Sequence, residues 1–162
     1  MENKISLFIP VYNIKRSYNP ALKSAFLELL DSARIFEIFI VDDNSTDKFP
    51  RYIRYLNSVS KKFSRRVNYL FYDQGPSRRE NLAKSFYLAK GDIICFIDAD
   101  LSCEIGFLCK AIDLLLEKEA DLVVGSRYIK GAQTIMRPGR RILSFFYNLA
   151  IRHLFRSMIM DH

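Results

Sequence analysis

The stretch "GDIICFIDADLS", residues 91–102, decides how the chain is read. An apolar run from Ile93 to Ile97 stops abruptly at two carboxylates, Asp98 and Asp100, one residue apart. Two like charges about 4 Å apart repel by roughly 4 kcal/mol at an effective dielectric of ~20, so this pairing at the end of a buried strand needs a reason. Outward from it, similar short runs rich in β-branched and aromatic residues recur: "ISLFI" (5–9), "EIFIV" (37–41), "VNYLFY" (67–72) and "DLVVG" (121–125). With "DIICFI" (92–97) they make five predicted strands, separated by helical patterns. The first helix opens at Asn19-Pro20, a capping residue followed by the proline favoured in a first turn. Another opens with "SRRE", Ser77 to Glu80, as a capping box and closes at Gly91. A further one runs from about Cys103 to Glu119. The alternation predicts an α/β fold: a mostly parallel, Rossmann-like sheet, flanked by helices on both faces, in a single domain.

In such sheets ligands bind beyond the carboxyl ends of the strands. "IPVYN" (9–13), "VDDNSTD" (41–47) and "DAD" (98–100) follow the first, second and fourth strands, so all three open onto one edge. Side chains two apart on extended chain point the same way, which lets Asp98 and Asp100 converge. A divalent cation between them turns repulsion into attraction. Mg²⁺ or Mn²⁺ is held by one or two carboxylates, with phosphates and water completing the shell, and a sugar-nucleotide diphosphate suits that arrangement. Acids after the second strand are placed to accept hydrogen bonds from a ribose or base. Each cluster alone reads equally as a polar turn, and Asp100 or Ser102 as the cap of the next helix. Their order along the chain is what argues for a site.

At 162 residues the chain is long enough for one core, and 49% hydrophobic with 27% charged content is a globular balance. No apolar run approaches the roughly 20 residues of a membrane span. The start, "MENKISLFIP", carries an acid and passes directly into a strand, which predicts no signal peptide. Cys95, Cys103 and Cys109 form an odd set without a C-x-x-C pair and read as small core residues in a reducing, cytoplasmic compartment. His153 and His162 are too few for a zinc site. Neither G-x-G-x-x-G nor the P-loop pattern is present, which disfavours dehydrogenases and P-loop enzymes.

The net charge of +7 is uneven: from Arg127 onward seven Lys and Arg side chains face a single acid, Asp161. That asymmetry implies an anionic partner. The stretch "GRRILSFFYNLAIRHLFRSMIM" (139–160) predicts one basic amphipathic helix, spanning 138–160 with Pro138 at its start. Arg140, Ser144, Asn148, Arg152 and Arg156 recur at every fourth position as a polar stripe, with Leu143, Phe146, Tyr147, Ala150, Leu154 and Met158 largely elsewhere. Such a helix suits a membrane interface, and equally a core-packing helix with a solvated face.

In this order, "IPVYN", "VDDNSTD", "GDIICFIDADLS", "LVVGSRYIKG" and "GRRILSFFYNLAIRHLF" resemble the catalytic domain of family 2 glycosyltransferases with the GT-A fold. Within that family the chain is most similar to the dolichyl- or polyprenyl-phosphate sugar transferases, from Ile5 to its last residues. The resemblance implies metal-dependent, inverting transfer of a sugar from a GDP- or UDP-sugar to a lipid phosphate at the cytoplasmic membrane face, with Mg²⁺ or Mn²⁺ as cofactor. It implies that Pro10, Tyr12, Val41 and Asp43 hold the nucleoside. Asp98 and Ala99 match positions beside the ribose and diphosphate, Asp100 matches the metal ligand, and Ser102 stands where the family often has a metal-binding Gln. Arg127 matches an arginine that serves the phosphates, completing a catalytic set of Asp98, Asp100 and Arg127. Arg140, Ser144 and Asn148 match residues that hold the acceptor phosphate.

The resemblance has three departures. Ile14 stands where the family often carries Glu. "QGPSRREN" (74–81) replaces a glycine- and lysine-containing loop, with Arg78 or Arg79 able to supply the charge. Asp161 matches the start of an Asp-x-x-Cys/Ser-Gly-Phe motif whose remainder does not follow, which predicts a catalytic domain incomplete at its C-terminus and puts the activity of this fragment alone in question. The expected partners are a nucleotide-sugar, a lipid phosphate and a membrane surface met peripherally, with no nucleic acid. An ionised phosphate acceptor needs no deprotonation. A sugar hydroxyl in an envelope or capsule glycan, the first alternative, needs a general base, commonly a carboxylate. A second alternative is a degenerate nucleotide-binding module without turnover. A nucleic-acid binder would show steep salt dependence, and the acidic clusters argue against it.

Overall fold

The computed structural model describes residues 3–14, 28–29, 35–77, 79–99, 105–118, 120–126, 128 and 138–156. β1 (Ile5–Val11) and β2 (Ile35–Asp42) run side by side as almost uninterrupted apolar sequence. Parallel strands covered on both faces read that way. β3 (Val67–Phe71) pairs with the far side of β2, and β4 (Ile93–Phe96) with the far side of β1, giving a four-stranded parallel sheet in the order β3-β2-β1-β4. Strand pleating sorts the side chains. Leu7, Ile9, Ile38 and Ile40 turn to one face, against α1 (Phe49–Val59), α2 (Lys61–Arg66) and α4 (Ile105–Leu116). Phe8, Phe39 and Val41 turn to the other, against Leu82 of α3 (Glu80–Ser85) and Phe86 of the 3₁₀ turn that follows it. The expected α/β sheet with helices on both faces is thus present.

Register places the functional edge. Val11 lies opposite Asp42 and Phe8 opposite Phe96, and Ile97 donates its backbone N–H to Phe8 O at 3.1 Å. The carboxyl ends of β1, β2 and β4 therefore finish side by side. The opposite edge is closed by a polar knot: Ser6 Oγ donates to the buried Glu37 Oε1 at 2.7 Å, and Gly91 N donates to Ser6 Oγ at 2.9 Å.

Three expectations need correction. Residues 121–125 form no strand; Leu122 and Val124 are well exposed. A β-branched run becomes a strand only when its backbone finds a ladder partner, and among the described residues this one has none. The capping box at Ser77 does not form either. α3 starts at Glu80, preceded by Arg79 in the left-handed region (φ 75°), and Ser77 lies ahead of it, its hydroxyl accepting from Asn81 N at 3.2 Å while donating to Asp43 Oδ2 at 3.0 Å. Gly91 does not end that helix, since the helical run stops at Leu88 and Ala89 is already extended. It is there for close approach: a Cβ at position 91 would sit 2.7 Å from both Lys4 O and Ser6 N.

The chain divides into two compact units, residues 1–119 and 120–162. In the second, α5 (Pro138–Phe155) covers most of the predicted basic helix, and residues 157–160 lie outside the described residues. Of the helix predicted from Asn19, only Glu28 and Leu29 are described, both helical. Among the described residues no helix is long and apolar enough to cross a membrane.

Candidate functional site

The acids of "VDDNSTD" divide their duties. Asp42, the last residue of β2, is buried; its Oδ1 accepts from Ser45 N at 2.7 Å and its Oδ2 accepts from the Tyr69 hydroxyl on β3. Ser45 Oγ in turn accepts from Asn13 N at 3.0 Å, and Asn13 Oδ1 accepts from Thr46 N at 2.8 Å. These bonds pin the turn after β2 to the turn after β1. Asp47 accepts from Phe49 N at 2.9 Å and so starts α1. Burial, reinforced by the bond to Asp42, raises the Tyr69 phenol above its ordinary value of 10.0. Removing that hydroxyl leaves a buried carboxylate short of a donor, so Tyr69→Phe is expected to cost about 1–3 kcal/mol in denaturant titrations at neutral pH. A raised phenol contributes stability that is complete below pH 10 and lost above it. The gap between wild type and variant should therefore narrow as pH rises past 10.

Asp43 is what this scaffold presents. Its backbone N–H donates to Val11 O at 3.0 Å, and its carboxylate is held by the loop before α3. Oδ2 accepts from Ser77 N at 2.7 Å and from Ser77 Oγ at 3.0 Å, and Oδ1 accepts from Asn81 Nδ2 at 2.6 Å. Gly75 is packed so closely that a Cβ there would lie 2.5 Å from Asp43 O and 2.7 Å from Oδ1. The same loop reaches β4: Arg79 Nη2 lies 3.2 Å from Asp98 Oδ1, its guanidinium 5.6 Å from the centre of the Phe96 ring. Both partners are more than half exposed, so the pair adds little to stability. It matters as geometry, because residues 77 and 79 join the carboxylates that follow β2 and β4. An edge that carries carboxylates and a guanidinium has the chemistry to bind a polar, phosphorylated ligand together with a cation.

The sequence profile of glycosyl transferase family 2 matches residues 6–159. The chain belongs to that family. It is 31% identical over 130 residues to the dolichol-phosphate mannosyltransferase of Pyrococcus furiosus, covering 80% of this chain and 35% of that protein. It is 26% identical over 163 residues to glycosyltransferase AglD of Haloferax volcanii, covering 98% of this chain and 25% of the relative. The mannosyltransferase PcManGT of Pyrobaculum calidifontis, solved in complex with GDP-Man and Mn²⁺, superposes with a TM-score of 0.57 at 21% identity, over 77% of this chain and 34% of that one. That likeness gives the fold, GT-A. The chain spans between 15% and 35% of the length of the first curated relatives it matches.

Against the family's pattern, Tyr12 is 48% exposed just beyond β1 and Pro10 lies within that strand, both at the functional edge. Val41 is 1% exposed, its side chain belongs to the core with Phe8 and Leu82, and it lies within the ladder between Pro10 and Leu70. Ala99 is likewise buried, while Asp98 faces solvent with Arg79. Asp100, Ser102, Arg127 and the Arg140 side chain lie outside the described residues. On α5, Ser144 is half-buried and Asn148 is 5% exposed, whereas Arg152 and Arg156 are exposed, so the predicted polar stripe is not uniformly solvated. Cys95 and Cys109 are free thiols, half-buried, and burial pushes Cys95 up to about 11, which keeps it neutral and inert. Gly75, Ser77 and Asn81 were not singled out as ligand-site residues by the sequence patterns, whereas Arg79 is one of the two arginines expected to supply charge from this loop. The signal was the Gly-Pro-Ser run opposite an acid-rich turn, but its partner is 34 positions away.

Proposed function

We propose that the chain is the catalytic module of a glycosyltransferase that moves a sugar, with inversion, from a GDP- or UDP-sugar to a polyprenyl or dolichyl phosphate. The observation that carries this reading is the loop 75–81, which ties Asp43 and Asp98 into one edge at the carboxyl ends of β2 and β4. Tyr12 and Asp43 bind the nucleoside: Oδ1 of Asp43 takes one bond from Asn81 and keeps acceptor capacity for a base N–H. Asp98 is a solvent-facing carboxylate, the hard oxygen donor that Mg²⁺ and Mn²⁺ take, while among the described residues no group of three or more acids, histidines or cysteines gathers to hold an ion. Asp98, Asp100 and Ser102 would hold it, and when bound it neutralises charge on the departing diphosphate. Arg79 and Arg127 add positive charge beside the same phosphates. The acceptor phosphate is already ionised at neutral pH, so its oxygen attacks the anomeric carbon as the bond to the nucleoside diphosphate breaks, and no side chain takes a proton.

Large apolar side chains stand exposed on α5, among them Leu143, Phe146, Leu154 and Phe155, beside exposed Arg141, Arg152 and Arg156. That combination favours peripheral binding to an anionic membrane on the cytoplasmic side, with each cation adding about 1 kcal/mol. Arg140, Ser144 and Asn148 hold the lipid phosphate in this reading.

Thermal melting with GDP, UDP and their sugar conjugates, with and without Mn²⁺, tests it. A ligand at a hundred times its Kd adds about 2.7 kcal/mol of stability, a rise of roughly 5–10 °C for a chain of this size. Identical melting points across all nucleotides would remove the donor site. Transfer to an oligosaccharide hydroxyl but not to polyprenyl phosphate would reassign the acceptor.

A further inference from the structure

Three of the acceptor positions on the Asp43 carboxylate are filled from inside the protein, and two of the donors belong to one residue. Ser77 takes both directions of Oδ2. Asn81, 4% exposed on α3, takes one direction of Oδ1. Its neighbour Asn44, itself in the left-handed region (φ 70°), donates its side-chain amide to Gly75 O at 3.1 Å, so the loop is held from both sides. A carboxylate on a turn rotates about its own Cα–Cβ and Cβ–Cγ bonds unless something fixes it. Here the plane is fixed by a buried amide that no ligand can reach.

From this we infer that Asn81 is a positioning residue for the nucleoside: its amide, with Ser77, sets the plane of the Asp43 carboxylate and leaves Oδ1 with a single outward acceptor direction. The inference rests on the donor-site reading above. Buried polar groups that orient a ligand-binding side chain act through geometry, and displacement by about an ångström is enough to be felt in affinity. The amide also contributes sign. An amide N–H is a permanent donor, so Asp43 stays an acceptor toward the ligand at any pH at which it is ionised. Among the described residues, the other ionic groups on the segments around this carboxylate are Asp42, occupied by Ser45 and Tyr69, Asp47 in the same turn, Asp73 in the loop before α3, Glu80 and Lys84 on α3, and the Arg79–Asp98 pair.

Asn81→Asp makes the role measurable. It is nearly isosteric but replaces the donor by a second carboxylate facing Asp43, and two carboxylates at that separation share one proton. The affinity of the full chain for GDP and for UDP, each with Mn²⁺, is measured by calorimetry at pH 8 and pH 5.5, and each variant is expressed relative to wild type at the same pH. Asn81→Asp is expected to bind tenfold or more weakly at pH 8 and within threefold of wild type at pH 5.5, where the shared proton restores a donor. Asn81→Ala is expected to lose about tenfold at both values. Amide exchange of Ser77, read without nucleotide, should accelerate in Asn81→Ala, and it serves as the readout if the Asp variant does not fold. A variant set that melts earlier yet binds with wild-type affinity at both pH values would make Asn81 structural only and overturn the inference, as would an Asn81→Asp deficit that ignores pH. If wild type binds neither nucleotide, the donor-site reading falls and this inference with it; if wild type binds and the variants are indifferent, only the inference falls.

Discussion

Asp100→Ala is expected to abolish the Mn²⁺-dependent part of the nucleotide-induced rise in melting temperature and to lower sugar transfer by at least about a thousandfold. The size follows from the work assigned to the cation. Lewis-acid stabilisation of a leaving diphosphate is worth several kcal/mol, and each 1.36 kcal/mol is a factor of about ten in rate. Two carboxylates one residue apart at a strand end repel each other unless a cation lies between them. Removing one relieves the repulsion, so the empty protein should melt no lower than wild type, and the loss should appear only with ligand. That pattern separates a ligand residue from a structural one. The metal-independent share of the nucleotide shift, which depends on Tyr12 and Asp43, should survive. An Asp100→Ala chain that keeps the full Mn²⁺ increment would take Asp100 out of the metal site and leave Asp98 alone to carry it. Asp98→Asn should show a mixed result, since the residue also holds Arg79 at 3.2 Å.

The strands were legible because their signal is local. Parallel strands buried on both faces read as nearly continuous apolar runs, and Ile5–Val11 and Ile35–Asp42 do, interrupted only by Ser6, Glu37 and the terminal Asp42. The edge on which the acidic turns gather was legible too, because topology alone sends the residues after β1, β2 and β4 to one side. What local pattern could not supply was the partner. "SRRE" has the composition of a capping box, and the Ser77 hydroxyl does accept from a helix-end amide, Asn81 N at 3.2 Å, but its own proton and the Ser77 N–H go to Asp43, 34 positions earlier, a partner that local pattern cannot name. Gly91 looks like a helix stop, but its reason lies on β1, at Lys4 and Ser6. Residues 121–125 have strand composition without a strand, because β propensity measures fit to a ladder that must first exist. Of the two adjacent acids at the end of β2, nothing in the pattern says which is buried. The alternation along β2 puts Asp42 under the sheet edge beside Tyr69, and Asp43 is held instead by Ser77 and Asn81.

The largest loss of stability is expected from Phe8→Ala. Phe8 lies at the middle of β1, the strand that pairs with both β2 and β4, and it is fully buried. Its ring stacks on Phe39 at 4.6 Å and meets Phe86 edge-on at 4.9 Å, so it joins the sheet to the turn that follows α3. Truncating a buried Phe costs about 3–5 kcal/mol through lost transfer energy and the cavity left behind, a large share of the roughly 5–15 kcal/mol that holds a domain together. Urea titration should show the midpoint falling with an unchanged slope. The consequence for the site follows from where the cavity opens. α3 carries Asn81 and Leu82, and Leu82 shares the small cluster with Phe8, Phe39 and Val41. Loosening that cluster frees the helix that holds the Asp43 carboxylate. Phe8→Ala should therefore weaken nucleotide binding even under conditions where the chain remains folded, whereas Phe63→Ala, in the core on the opposite face, should lower stability and leave the affinity of the folded chain unchanged. Equal effects of the two substitutions on affinity would mean that the apolar layer under α3 does not support the site.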